Sequence, residues 1–374
     1  MKFTISSSKL FAQLQAVCRV INNKNALPIL DDVLFTLEGN QLTLTASDGE
    51  ITVRSTVEVE GVEGSGKVAS LAKLLQDTLK EFSEQPLVFT IDENNFAVSM
   101  VSQSGTYSFV GVNGNEYPEM PVAEPDAQQI TMPAAVLQKA IEKTIFSTAD
   151  DDLRPVMNGI SFDVAENKVT LAATDAHRLV RYSNTNVQAG AAASFILPKK
   201  PAQLLKNLLV KEENDIVVTF GAKNARFEFG SVLLVCRLIE GRFPNYNSVI
   251  PQNNPNELRV DRLGLLAALR RVQPFANGSS NLIRFHVEGS TLQLDAEDYD
   301  FSKTATERMS CDYNGNPMSI GFKGSSFIEV LSNFDCPEVI IQLADPSRAG
   351  LVLPSEQPEN QDILMLLMPM LIND

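Results

Sequence analysis

The chain has 374 residues, 44% of them hydrophobic, and a formal net charge of −15. That length suits two or three domains with ample apolar cores, and the composition excludes an extended disordered protein. Taken alone, the acidic balance counts against nucleic acid as a partner, because phosphate binding runs on lysine and arginine.

The opening MKFTISSSKLFAQLQ lacks the apolar stretch of a signal peptide. The longest apolar run, ILMLLMPMLI at 363–372, is far shorter than the roughly 20 residues that span a bilayer. Cys18, Cys236, Cys311 and Cys336 are widely spaced, with no C-x-x-C pair and no histidine cluster. This pattern points to reduced thiols, no metal site, no membrane and a cytoplasmic protein.

In chain order, SKLFAQLQAVCRV reads as an amphipathic helix with Leu10, Leu14, Val17, Cys18 and Ile21 as its buried stripe. Alternating strands follow through LTLTASDGEITV (42–53). A second helix lies in SLAKLLQDTLKEF, then strands around DENNFAVSM (92–100) and an aromatic–proline turn, EYPEM (116–120). The series then restarts with AAVLQKAIEKTIF, VTLAATDAHRLV (169–180), KKPAQLLKNLLVK, AKNARFEFG (222–230) and RFPNY (242–246). A third round runs through DRLGLLAALRRVQ, LQLDAEDYDFSK (292–303), GSSFIEVLSNFDC and LMPML (367–371). Within a round, EGNQLTLTA resembles DENNFAVSM, and AENKVTLAA resembles AKNARFEFG. Each unit therefore reads as two half-units of strand, helix and strand meander. Proline-containing segments near 123–128 and 251–256 separate the units. The expected fold is α+β, with three repeated domains at 1–124, 125–252 and 253–374, each with two helices packed on antiparallel sheets.

Laying the rounds over one another brings Asp48, Asp175 and Asp298 together. Asp175 thus reads as a residue that turns the chain after a strand. His177, one of only two histidines, stands where the other rounds have Glu50 and Asp300, so the middle unit departs from the repeat there. A hydrolase pair of Asp175 and His177 is one reading, but no G-x-S-x-G accompanies it. A scaffold that binds only proteins is another. No G-x-x-x-x-G-K-[ST] loop for ATP is present.

Charge is unevenly placed. Six windows around the expected helices (2–30, 67–80, 134–148, 196–211, 262–284 and 323–334) hold 18 lysines and arginines against three acids, Asp77, Glu142 and Glu329. They carry +15, and the remainder −30. Helices about 10–12 Å across, set at a radius of about 22 Å that clears a duplex, need about twelve to close a ring. One chain supplies six. Two identical chains joined head to tail would close it, with basic helices inside and acidic sheets repelling DNA outside.

The threefold repeat, LPIL after a basic first helix, NGISF, ATDAHRL, GRFPNY and the C-terminal MPM together resemble the bacterial DNA polymerase III β subunit family, the sliding clamps. The resemblance implies the DNA clamp fold, half of a closed ring, and a head-to-tail homodimer encircling duplex DNA without regard to sequence. It implies a processivity factor that tethers the replicative polymerase and repair polymerases and is placed by an ATP-driven clamp loader. No catalytic activity and no cofactor are implied. The family's partner-peptide pocket maps onto Met157, Thr174, Ala176, His177, Arg178, Leu179, Pro244, Val249, Leu367, Met368, Pro369 and Met370, with Arg178 and His177 offering polar contacts at its rim. Lys24, Lys199 and Lys200 match basic lumen positions, and Arg154 adds to them. Arg19 and Arg271 join from helix charge alone. Tyr107 and Phe109 match one interface edge, and Pro274 and Phe275 the opposing surface. The tail departs from the pattern by continuing as LIND, as do Ser248 and Ser280 where arginine and an aromatic are common. These differences bear on motif preference.

Overall fold

The computed structural model describes residues 1–22, 24–189 and 192–372. Six α-helices lie among them: α1 Ser7–Val17, α2 Ala72–Leu79, α3 Ala134–Thr144, α4 Lys199–Leu208, α5 Arg262–Val272 and α6 Gly324–Ser332. No helix among the described residues is long and apolar enough to cross a membrane. On α1 the Ser6 hydroxyl accepts the Lys9 amide, capping the first turn. Leu10, Leu14 and Val17 are fully buried, each contributing about 1.5–3 kcal/mol relative to exposure. The α-helix closes at Val17, and the chain tightens into a 3-10 turn at Cys18–Val20. Fewer residues per turn rotate the apolar stripe, so Val20 enters the core and Ile21, expected there, is only half-buried.

Chain contacts divide the protein into two compact units, Met1–Ala135 with Leu204–Leu238, and Val136–Gln203 with Ile239–Asp374. The cuts fall inside the middle sequence repeat. The cause is strand pairing between repeats. In the first unit Ile51–Glu58 pairs with Val232–Arg237, Arg54 opposite Leu233. In the second, Arg178–Asn184 pairs along its whole length with Gln361–Leu367.

The first unit builds a large antiparallel sheet in the order Val112–Asn113, Gly66–Leu71, Asp32–Glu38, Gln41–Ser47, Ile51–Glu58, Val232–Arg237, Asn224–Phe229, Asp215–Phe220, Gln128–Pro133. A five-stranded sheet runs Glu60–Glu63, Lys2–Ser6, Pro86–Ile91, Ala97–Val101, Thr106–Val110. Helices α1 and α2 pack on each other, and α1 on Ile51–Glu58. Phe3 stacks on Phe89 with ring centres 5.1 Å apart.

The second unit holds a nine-stranded sheet ordered Ala193–Pro198, Gly159–Ala165, Lys168–Thr174, Arg178–Asn184, Gln361–Leu367, Gly350–Pro354, Glu338–Leu343, Asn256–Asp261, Asp312–Tyr313. A four-stranded sheet runs Lys303–Ser310, Thr291–Asp298, Leu282–Glu288, Met318–Lys323. Phe285, Phe322 and Phe327 form an aromatic core beside α6. Lys143 on α3 has a side chain only 5% exposed. Its ammonium donates to the Asn333 carbonyl and the Asp335 carboxylate, both at 2.7 Å, which ties α3 to the end of α6.

Candidate functional site

The strand Lys168–Thr174 turns into Arg178–Asn184 through Asp175, Ala176 and His177. One Asp175 oxygen accepts the amides of His177 and Arg178, each at 3.0 Å. Thr174 Oγ1 accepts the Ala176 amide at 3.1 Å and donates to the Arg178 carbonyl at 2.6 Å. Ala176 is left with φ of 76°, a conformation that L residues resist. Ser47–Ile51 repeats the design. Asp48 accepts the amides of Glu50 and Ile51, Ser47 takes the part of Thr174, and Gly49 sits at φ 95°. The expected turn-forming role holds at both sites. At the third copy Asp298 is buried and meets Asn277 instead.

Register then decides which side chains converge. Leu179 lies opposite Leu366, and Arg181 opposite Leu364. Because neighbours on a strand face opposite ways, Leu179, Leu364 and Leu366 share one face. There they join Ala172, Tyr246, Ile250, Ala349 and Leu351, with Phe243 and Leu353 packed alongside. The Tyr246 hydroxyl donates to Asp163 at 2.6 Å. Burial and the Asp163 carboxylate push that phenol well above its usual range. Around this apolar floor Val249 is 58% and Met368 44% exposed, and Pro244 and His177 are exposed. Pro369 and Met370 are half-buried, and the Met368 amide donates to the His177 carbonyl at 2.8 Å. The tail is thereby fastened beside the turn.

Two residues expected in the slot face elsewhere. Arg178 and Leu367 are strand partners one position off the Leu179–Leu366 row, so strand alternation turns both toward the helices. The Arg178 guanidinium is spent there. It donates to Asp175 at 3.0 Å, to the Phe146 carbonyl at 2.8 Å and to Glu329 on α6, and it stacks over the Phe146 ring. Its donors thus brace the turn from beneath, on the side of the strand away from the Leu179–Leu366 row. Met157 is buried in the 3-10 turn Pro155–Met157 and lies outside the apolar cluster. Sequence reasoning missed Tyr246, Ile250, Leu351, Leu364 and Leu366. For Leu364 and Leu366 the run ILMLLMPMLI was the one signal, and it does not say which parity faces the slot.

The helical cations are less available than their count suggests. Lys139 and Lys143 meet Asp335. Arg262 donates to the carbonyls of Cys336 and Leu331. Arg271, expected as a free helix charge, forms a two-bond fork with Glu307 at 2.6 Å. Lys199 pairs with Asp150 at 2.8 Å and Arg154 with Asp151 at 2.8 Å. Lys9, Arg19, Lys24 and Lys73 are exposed and make no ion pair with a described residue. Lys200 is exposed beside Lys199.

Sequence-family models of the DNA polymerase III beta subunit match three segments: the N-terminal domain at residues 1–121, the central domain at 131–245 and the C-terminal domain at 247–371. The chain belongs to the DNA polymerase III beta subunit family. It is 28% identical to the beta sliding clamp of Vibrio cholerae over 372 residues, 99% of each chain. To the beta sliding clamp of Pseudomonas putida it is also 28% identical, over 99% of this chain and 100% of that one. Among solved structures, the beta subunit from Pseudomonas aeruginosa matches over the whole of both chains with a TM-score of 0.94 and 26% identity. The sliding clamp from Bartonella birtlesii, bound to griselimycin, gives 0.92 and 26%, again over both whole chains.

As a member of the sliding-clamp family the chain is a non-catalytic processivity factor of DNA replication, working with DNA and DNA polymerase. That answers the hydrolase reading of Asp175 and His177. The His177 ring makes no hydrogen bond to a described residue, and Asp175 is engaged by backbone amides and Arg178. The residues expected at a clamp interface are accessible. Tyr107 is 38% exposed and Phe275 40%, Pro274 is exposed and Phe109 half-buried. Tyr107 and Phe109 lie on Thr106–Val110, the edge strand of the five-stranded sheet, and Lys303–Ser310 is an edge of the four-stranded one.

Proposed function

We propose that two copies of this chain join head to tail into a ring around duplex DNA, and that the apolar slot tethers the replicative polymerase, repair polymerases and the clamp loader through short peptide segments. The open edges Thr106–Val110 and Lys303–Ser310 carry the reading. An exposed strand edge presents unpaired backbone donors and acceptors that a second chain can complete. Tyr107, Phe109, Pro274 and Phe275 supply side-chain contacts to that closure, and a heterologous contact closes when its rotation allows.

Inside the ring, Lys24, Lys199, Lys200 and Arg154 make diffuse phosphate contacts. Exposed ion pairs such as Lys199–Asp150 and Arg154–Asp151 are worth little, so these cations exchange their carboxylates for phosphate at small cost. Such contacts are sequence-independent and salt-sensitive, weak enough for sliding. Retention is topological, and tethering raises the polymerase's effective concentration. Met368, Val249, Pro244, His177 and Leu179 form an adaptable apolar slot suited to several ligands. No cofactor takes part, and the protein works in the cytoplasm.

The test is to load the protein onto nicked circular DNA and then linearise half the sample. Loaded protein stays on the circles and is lost rapidly from the linear molecules. Equal lifetimes on both overturn the ring.

A further inference from the structure

The face of the large first-unit sheet turned away from α1 carries a groove of about 680 Å³, bordered by the segment Tyr117–Val122. Leu34, Thr45 and Arg54 form one row across three strands of its floor. Arg226 lies nearby, donating to the Pro121 carbonyl at 3.2 Å with Glu228 at 3.7 Å. Lys67, Glu38 and Glu119 complete its charged lining.

Arg54 is the anomaly. Half-buried, its side chain makes no hydrogen bond or ion pair with any described residue, and its Nε is sealed from solvent with no partner. Burial and the adjacent Arg226 charge both disfavour its cationic form, with Glu38 partly offsetting them. Buried donors are normally satisfied, and one that is not needs an explanation.

The internal repeat shows what an arginine at this place can hold. In the second unit Arg181 lies opposite Ala172, and Ala172 opposite Ser161, the same place in the meander. Its Nε is likewise sealed without a partner, but its Nη2 holds the Asp362 carboxylate at 2.7 Å. Asp362 stands two residues before Leu364, the strand partner of Arg181. Two residues before Leu233, the strand partner of Arg54, stands Ser231, whose hydroxyl meets Ser55 at 3.2 Å. The first unit thus has the arginine and lacks the carboxylate.

We infer that this groove is a second docking site, separate from the apolar slot, which takes an aspartate or glutamate of a peptide partner on Arg54. A guanidinium fork suits a carboxylate. Leu34 and Val122, the latter 84% exposed, offer apolar contact to a branched residue beside it. Glu38 and Glu119 restrict the ligand to one well-placed carboxylate and exclude a polyacidic chain.

The probe is acetyl-Val-Asp-Val-amide, with acetyl-Val-Asn-Val-amide as its uncharged isostere, titrated calorimetrically into the whole protein at low salt. The aspartyl probe should bind at least fivefold more tightly, and Arg54→Met should abolish that preference while Arg54→Lys keeps part of it. Soaked wild-type crystals should show the carboxylate on the Arg54 guanidinium, a readout that needs no variant to fold. Equal binding of the two probes to the wild type overturns the assignment. So does a preference that survives Arg54→Met, a soaked probe seated elsewhere, or displacement of the probe by inorganic phosphate at matched concentration, which would mark a general anion pocket.

Discussion

At the scale of single residues, Arg178 is the link between the slot and its support. It fixes Asp175, and Asp175 fixes the amides that shape the turn carrying His177. Its outer anchor is Glu329 on α6, whose side chain is 54% exposed. An exposed ion pair contributes about 1 kcal/mol or less to stability, yet a small displacement of the turn moves His177 and, through its carbonyl, the Met368 amide. Glu329→Gln should therefore weaken binding of the cognate replicative polymerase three- to tenfold by surface plasmon resonance, with urea unfolding nearly unchanged. Loss of stability without loss of binding would make Glu329 merely structural. The motif was visible in the sequence as a departure from the repeat at His177. Which arginine donors remained free was not, because that depends on Glu329, 151 positions away in the chain.

At the scale of elements, the buried Lys143 ammonium pins α3 to the end of α6. Removing one partner of a buried charge costs more than the pair was worth, because the other is left uncompensated. Asp335→Asn leaves Lys143 the Asn333 carbonyl, so the expected cost is about 2 kcal/mol in urea unfolding. Burial raises the Asp335 carboxyl's proton affinity, but the bonds and charges of Lys143 and Lys139 outweigh it and hold the group below its ordinary 3.8. A folded-state value lowered in this way gives stability that is present above the unfolded value and lost as pH falls through the folded one. The gap between wild type and Asp335→Asn should be constant near neutrality and close below about pH 4. A gap that widens in acid would contradict the assignment. Periodicity identified both helices, but nothing local to them signalled that a lysine on one would be buried under the end of the other.

At the scale of the whole molecule, two chains of 40.9 kDa should give an assembly of about 82 kDa by light scattering, the mass of a closed pair. Placing a lysine on an edge strand blocks edge-to-edge pairing. Tyr107→Lys, at a residue 38% exposed, should shift the mass toward that of one chain while leaving the far-ultraviolet circular dichroism intact. An unchanged mass would remove Thr106–Val110 from the interface. The excess of lysine and arginine counted in the helical windows is reduced in effect, since Arg271 and Lys143 among others are already held by carboxylates.

Hydrophobic periodicity is a local property, and so the kind, number and order of the helices and the threefold repeat could be read from the amino acids alone. The same holds for the Asp48 and Asp175 turns, whose bonds reach only two or three residues along the chain. Pairing between repeats is different. Every strand edge offers the same backbone donors and acceptors, so no local pattern says that Arg178–Asn184 will take Gln361–Leu367 as its neighbour. That choice, made by the packing of the whole unit, set Leu364 and Leu366 beside Leu179, turned Arg178 toward α6, and left Arg54 without the carboxylate that Arg181 found.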